Sequence, residues 1–286
     1  MAEQEDTAPV PVVVPVVVPV VVPVVVPVLV AAVSSPPPQP ISGNAPAARP
    51  PSTGTTTGTT TGTTTGTGAV SSCSATPSET AGPYPGDGTN SNSSGVVNVL
   101  TQSGVVRSDL RSSFGGLSGT ASGVPLTVTL RLVNTAAGCA DLAGYAVYLW
   151  HCTADGGYSL YSSGITGQNY LRGVQVADTN GQVTFTTIFP GCYSGRWPHM
   201  HFEVFTSLAT ATSGNSDVRT SQLALPASAC TQVYGVDSRY AASVSSFNAI
   251  SLTSDNVFRD DAGVSQIATV SGNATSGFAA TLTVGI

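Results

Sequence analysis

The sequence predicts an all-β fold, a β-sandwich core with long functional loops, and three observations carry that reading. Short runs alternate apolar and polar residues, as strands with one buried face do. Clusters of Gly, Asn, Asp and Pro punctuate the chain between them. Only the stretch near 238–248 reads as a helix, and it is short. In order, the strand-like runs are LTVTLRLV at 126–133, YAVYLWHC at 145–152, QVTFTTIF at 182–189, HMHFEVF at 199–205, TSQLALP at 220–226 and the closing TLTV. Many short strands with turn signals between them predict a sandwich, and the connections are where such a scaffold carries function.

Composition divides the 286-residue chain near residue 69. Residues 69–286 are enough for one all-β domain, since such domains commonly run to roughly 200–250 residues. Residues 9–33 are uncharged and mostly valine, with proline at positions 11, 15, 19, 23 and 27. That stretch exceeds the roughly 20 apolar residues of a membrane span. Each proline, however, costs about 3 kcal/mol in a helix interior, so extended polyproline II is favoured in water. Glu3, Glu5 and Asp6 stand where an export signal carries basic residues, whereas VLVAAVSS resembles the end of such a signal. Residues 1–35 are therefore expected to be an atypical signal, an anchor or a stalk. Residues 36–68, rich in proline and then in TTTG repeats, lack the apolar periodicity that buries a core and are expected to form a disordered linker. Such a linker holds a domain away from a wall or membrane.

Charged residues make up 8% of the chain, its formal net charge is −6, and its nine basic residues are all arginine and scattered singly. This excludes a phosphate-tracking surface, which needs clustered cations, so no nucleic-acid partner is expected. The five cysteines, Cys73, Cys139, Cys152, Cys192 and Cys230, form no CxxC pair, and disulfides are expected in preference to a zinc knuckle. Their connectivity stays open, and the odd count leaves at least one thiol free or paired between molecules. Disulfides imply an oxidising compartment, and the chain is expected to be secreted or held at the cell surface.

His199 and His201 sit two apart in a strand-like run, so both imidazoles project from one face. A bare HxH pair is a weak signal, but only three histidines occur in the chain and two of them form it. Glu203 continues the alternation and raises a 2-His-1-carboxylate iron(II) site. Along a regular strand, His199 and Glu203 lie about 13–14 Å apart at roughly 3.4 Å per residue. That is too far to share one ion, and Glu203 is expected to face solvent or to stand behind the ligands. The remaining ligands must come from DGGYSLY at 155–161 and FPGCYSGRWPHMHFEV at 189–204.

These two segments, with LWHC before the first and QNYLRGVQVADTNGQVTFTTIFPG between them, resemble the intradiol ring-cleavage dioxygenases, the family of catechol and protocatechuate dioxygenases. TPSETAGPYPGDG at 76–88 and VVRSDLR at 105–111 resemble the corresponding region of exported members. The resemblance implies a non-haem iron(III) site held by Tyr158 of the GxYS motif, Tyr193 after the PG turn, and His199 and His201. It also implies an active-site arginine at Arg196, a glutamine at Gln222, and a residue lining the substrate mouth at Tyr84. The implied partners are a small aromatic diol and dioxygen. The implied reaction opens the ring between the two hydroxylated carbons, with Tyr193 taking up substrate protons.

The residue types suit that chemistry. Phenol titrates near pKa 10, but a trivalent ion a bond length away stabilises the phenolate at neutral pH, and hard anionic oxygen favours iron(III) over softer ions. A fixed guanidinium such as Arg196 can stabilise charge that develops on the substrate. Without the motif, Tyr158 and Tyr193 read as packing residues and Arg196 as a surface group. Tyr161 and Tyr170 lack motif support and are read as structural, and His151 as a satisfied core residue or one standing behind the metal ligands. Two other function classes fit parts of the chain: a wall-attached binding sandwich, and a zinc metallohydrolase needing three ligands and a water.

Overall fold

The computed structural model describes residues 73–286. The expectations for residues 1–35 and 36–68 lie outside the described residues. Eleven strands and two α-helices follow one another: β1 (Asp87–Asn92), β2 (Gly95–Asn98), β3 (Pro125–Asn134), β4 (Ala140–Asp141), β5 (Ala146–Trp150), β6 (Arg172–Val176), β7 (Gln182–Ile188), β8 (His199–Phe205), β9 (Arg219–Ala224), α1 (Ala227–Val236), α2 (Ala241–Asn248), β10 (Thr269–Asn273) and β11 (Gly277–Gly285).

Two sheets make the sandwich. The first runs β10-β11-β3, with β7 and the short β4 along the far side of β3. Its β3–β11 pair is parallel, Leu126 opposite Phe278 through Val133 opposite Gly285. The second runs β6-β5-β8-β9, antiparallel throughout. Alternation in β3 sends Leu126, Val128, Leu130 and Leu132 inward. There they meet Val147 and Leu149 of β5, Met200, Phe202 and Val204 of β8, Phe185 of β7 and Leu282 of β11. Each such side chain, fully buried, contributes about 1.5–3 kcal/mol.

The second sheet is buried on its outer face too. Tyr148 and Trp150 of β5 and Val174 of β6 pack there with Val99, Val105, Phe114 and Tyr158 from the loops. This layer is what the strand pattern leaves out: HMHFEVF alternates like a half-exposed strand, yet all seven residues of β8 are buried.

The helix expected near 238–248 is α2. The helix α1 was not anticipated, because its inward residues, Ala229, Cys230, Val233 and Tyr234, make too brief a stripe to show a helical period. β6, with Gly173 as its second residue, was also unmarked by strand propensity. Cys73 and Cys139 form a disulfide, while Cys152, Cys192 and Cys230 are buried free thiols. Among the described residues no helix is long and apolar enough to cross a membrane.

Candidate active site

On the outer face of the second sheet the antiparallel register sets one cross-strand row: Arg172, Trp150, His201 and Gln222. Trp150 stacks on the His201 ring, centroids 5.0 Å apart and 8° from parallel, which fixes the imidazole plane. His199, two residues earlier, shares this face, and the two Nε2 atoms are 3.0 Å apart. The Nδ1 of His199 lies against the Trp197 carbonyl. A carbonyl only accepts, so Nδ1 carries the proton and Nε2 presents its lone pair.

Two loops bring the tyrosines to these nitrogens. The backbone of Gly191 lies so close to the 153–154 segment that a Cβ there would fall 2.5 Å from the Ala154 carbonyl oxygen. This approach presses the PG turn against the loop that carries Tyr158. Gly156, at φ +90°, turns that loop where a side chain would crowd Tyr193. Tyr158 Oη then stands 3.3 Å from Tyr193 Oη, and Tyr193 Oη 3.0 Å from His199 Nε2. Tyr158 is 1% exposed and both histidines 2%.

Burial and then the neighbouring Tyr193 raise the Tyr158 phenol well above its ordinary value. Burial first pushes Tyr193 up to about 12. The same burial, followed by Arg196, depresses His199 to about 3. His201 falls well below its ordinary value through burial and then His199. Without a cation the four groups are therefore neutral.

The donor set fits one ion. Atoms bound at about 2 Å around a common centre are separated by about 3 Å, and the successive separations here are 3.3, 3.0 and 3.0 Å. The single lone pair of His199 Nε2 is approached at 3.0 Å by both Tyr193 Oη and His201 Nε2, more than it can accept from. A cation at the centre relieves that conflict. Among the described residues no group of three or more His, Cys, Asp or Glu could hold a metal, so a zinc site built from those types is not assembled.

The other expected residues also converge. Arg196 Nη2 donates to Gln222 Oε1, and Gln222 Nε2 donates to the Thr80 carbonyl at 2.8 Å. Tyr84, 37% exposed, places its ring 5.0 Å from Tyr158 at the rim. Tyr161, read from sequence as structural, stands in the same aromatic wall, 5.2 Å from Tyr84. His151 is the satisfied core residue expected, with Nδ1 against the Cys152 carbonyl and Nε2 against Thr187 Oγ1. Glu203 is not at the surface: it is 1% exposed, and burial followed by Asp87 pushes its carboxyl up to about 10.

Sequence reasoning missed two residues that shape the site. Arg172 is fully buried and spends its donors on Ser159 Oγ, the carbonyls of Ser159, Tyr84 and Pro85, and Tyr148 Oη. It thereby ties the Tyr84 segment to the Tyr158 loop. Asp255, also fully buried, pairs with Arg196 at 2.9 Å. The RG of the 168–191 stretch offered a signal for the first. Nothing in the local sequence marks the second.

A family model described as Dioxygenase matches residues 108–229. Among solved structures, an intradiol ring-cleavage dioxygenase from Tetranychus urticae is 23% identical, with 75% of this chain and 95% of that chain covered at a TM-score of 0.56. A second dioxygenase structure is 25% identical, with 75% and 94% covered at a TM-score of 0.57. No curated protein sequence matches the chain. The family match spans the loops and strands that carry Tyr158, Tyr193, Arg196, His199, His201 and Gln222, so over this segment the chain is similar to the dioxygenases.

Proposed function

We propose that the chain is an intradiol ring-cleavage dioxygenase that uses non-haem iron(III), held by Tyr158, Tyr193, His199 and His201, to open a catechol-type ring between its two hydroxylated carbons. The observation that carries the proposal is the convergence of two phenol oxygens and two imidazole nitrogens, consecutive atoms 3.0–3.3 Å apart, on the covered outer face of the second sheet. Iron(III) held by these four residues would supply a Lewis acid that favours the phenolate form of both tyrosines and the activation of a diol toward dioxygen.

The protein's own groups do the rest. Tyr193 is less buried than Tyr158, and its Oη is the oxygen available to take a proton from a diol hydroxyl. The rings of Tyr84 and Tyr161 form an apolar wall for a flat substrate. Arg196, held between Gln222 and Asp255, places a fixed cation where negative charge develops on the substrate. Burial of the ligands keeps water from weakening these charges.

The net change adds both atoms of dioxygen to the diol and nothing else, giving a muconate-type diacid. Oxygen uptake tested against catechol, hydroxyquinol and protocatechuate, with products weighed by mass spectrometry after reaction under ¹⁸O₂, checks this. A diacid carrying label from dioxygen is expected. A yellow hydroxy-aldehyde, or zinc in place of iron in active protein, would reject the proposal.

We also propose that the chain acts outside the cell and that residues before Cys73 contribute location, not chemistry. The Cys73–Cys139 disulfide supports an oxidising compartment.

A further inference from the structure

The segment between α2 and β10 lies beyond residues 108–229, the part of the chain that the family model matches, yet it reaches the active site, where its one carboxylate in contact with Arg196 is Asp255. Asp255 is fully buried, and both its oxygens are in use. Oδ2 accepts from Arg196 Nε at 2.9 Å and from the Trp197 backbone at 2.6 Å. Oδ1 accepts from the backbones of Val257 and Phe258, at 2.7 and 3.1 Å. The second pair of bonds closes a tight turn that sets Phe258 in place, with the Arg196 guanidinium carbon 6.0 Å from the centre of its ring.

Arg196 is thus gripped at two of its three nitrogens, Nε by Asp255 and Nη2 by Gln222. No described residue accepts from Nη1. A guanidinium is planar and rigid, so fixing two nitrogens fixes the direction of the third. Resting on the function proposed above, we propose that Asp255 is a positioning residue that aims the free Nη1 of Arg196 at the bound substrate. A merely structural Asp255 would also anchor the turn, but its loss would act on fold stability alone and would be indifferent to what stands at position 196.

The test is a double-mutant cycle on the iron-loaded full chain, with Asp255→Asn, Arg196→Leu and the double variant. Asp255→Asn keeps an acceptor for the turn but puts an N–H donor or a neutral carbonyl where Arg196 needs an anion. Turnover of catechol is expected to fall by up to about 100-fold, the scale of a slightly misplaced catalytic group, with iron content unchanged. In the Arg196→Leu background the same change is expected to cost little further. Independent, multiplying losses would overturn the proposal, as would full turnover in Asp255→Asn.

A second readout does not depend on turnover. Peptide mapping after phenylglyoxal treatment measures how fast each arginine is modified, and Arg196 is expected to react several-fold faster in Asp255→Asn than in the wild type. An equal rate overturns the proposal even if the wild type cleaves no catechol, which would reject the function and leave the positioning claim to this measurement. If Asp255→Asn does not fold, Asp255→Glu carries both readouts: slowed turnover with faster labelling supports the proposal, and wild-type values for both overturn it.

Discussion

The two faces of β8 bury the same strand by different means. Met200, Phe202 and Val204 enter the space between the sheets, where any apolar side chain of suitable volume is accommodated. His199, His201 and Glu203, on the other face, are equally hidden but must each be matched to a partner or neutralised. The inner face tolerates substitution by volume. The outer face is specified atom by atom, because an unmatched polar group there costs more than a lost contact.

The strongest way to break this contrast is Tyr158→Phe, which removes one ligand oxygen and leaves the ring. Iron content or the visible tyrosinate-to-iron band is expected to be largely lost with the fold intact by circular dichroism, and turnover with it. Retention of a wild-type spectrum would show that the outer face is not a ligand set. The inner-face counterpart is Phe202→Ala. It should destabilise the domain by about 3–5 kcal/mol in urea unfolding, while whatever protein remains folded at low temperature keeps its iron spectrum.

Next in size is Arg196→Leu, expected to slow the oxygen-dependent step by about 100- to 1000-fold, the effect of one lost charge-stabilising donor. Stopped-flow mixing of the preformed catechol complex with oxygen measures that step, and an unchanged rate would remove Arg196 from the chemistry. A smaller effect comes from His151, which burial holds down at about 4 against an ordinary value of 6.5. Its folded pKa is depressed, so the stabilisation is fully present above pH 6.5 and is lost as pH falls toward 4. Across that window the wild type should lose about 3 kcal/mol more than His151→Asn. Parallel pH profiles of unfolding for the two proteins would show that the imidazole is not buried neutral. The smallest effect expected is that of starting the chain just before Cys73: turnover is unchanged, and an active-site defect in folded protein would contradict the location role proposed for the first 68 residues.

What could be read in the sequence, and what could not, follows the same division. The strands of the inner core announce themselves through period-two alternation, as in LTVTLRLV of β3. The four ligand-type residues are visible because they fall within two short contiguous motifs. The covering of the second sheet is not legible, since it is made by loops whose residues carry no period. For that reason the alternation leaves Glu203 either facing solvent or standing behind the ligands, and the structure buries it. Asp255 is hidden for a related reason: its partner Arg196 is 59 residues away. No local pattern records a contact that only the completed fold creates.

The parallel pairing of β3 with β11 bears on the order in which the molecule is made. β3 is the central strand of its sheet and leaves the ribosome well before its parallel neighbour β11. Thr76, just after Cys73, also waits for that strand, since its backbone and hydroxyl bond to Gly285. The nascent domain therefore carries an unpaired apolar edge until β11 emerges. In that interval β7 already covers the opposite side of β3, and the cysteines at 73 and 139 are both available for oxidation. Losing β11 should accordingly prevent the domain from closing, and the first casualty would be the core between the sheets, well before any ligand is touched.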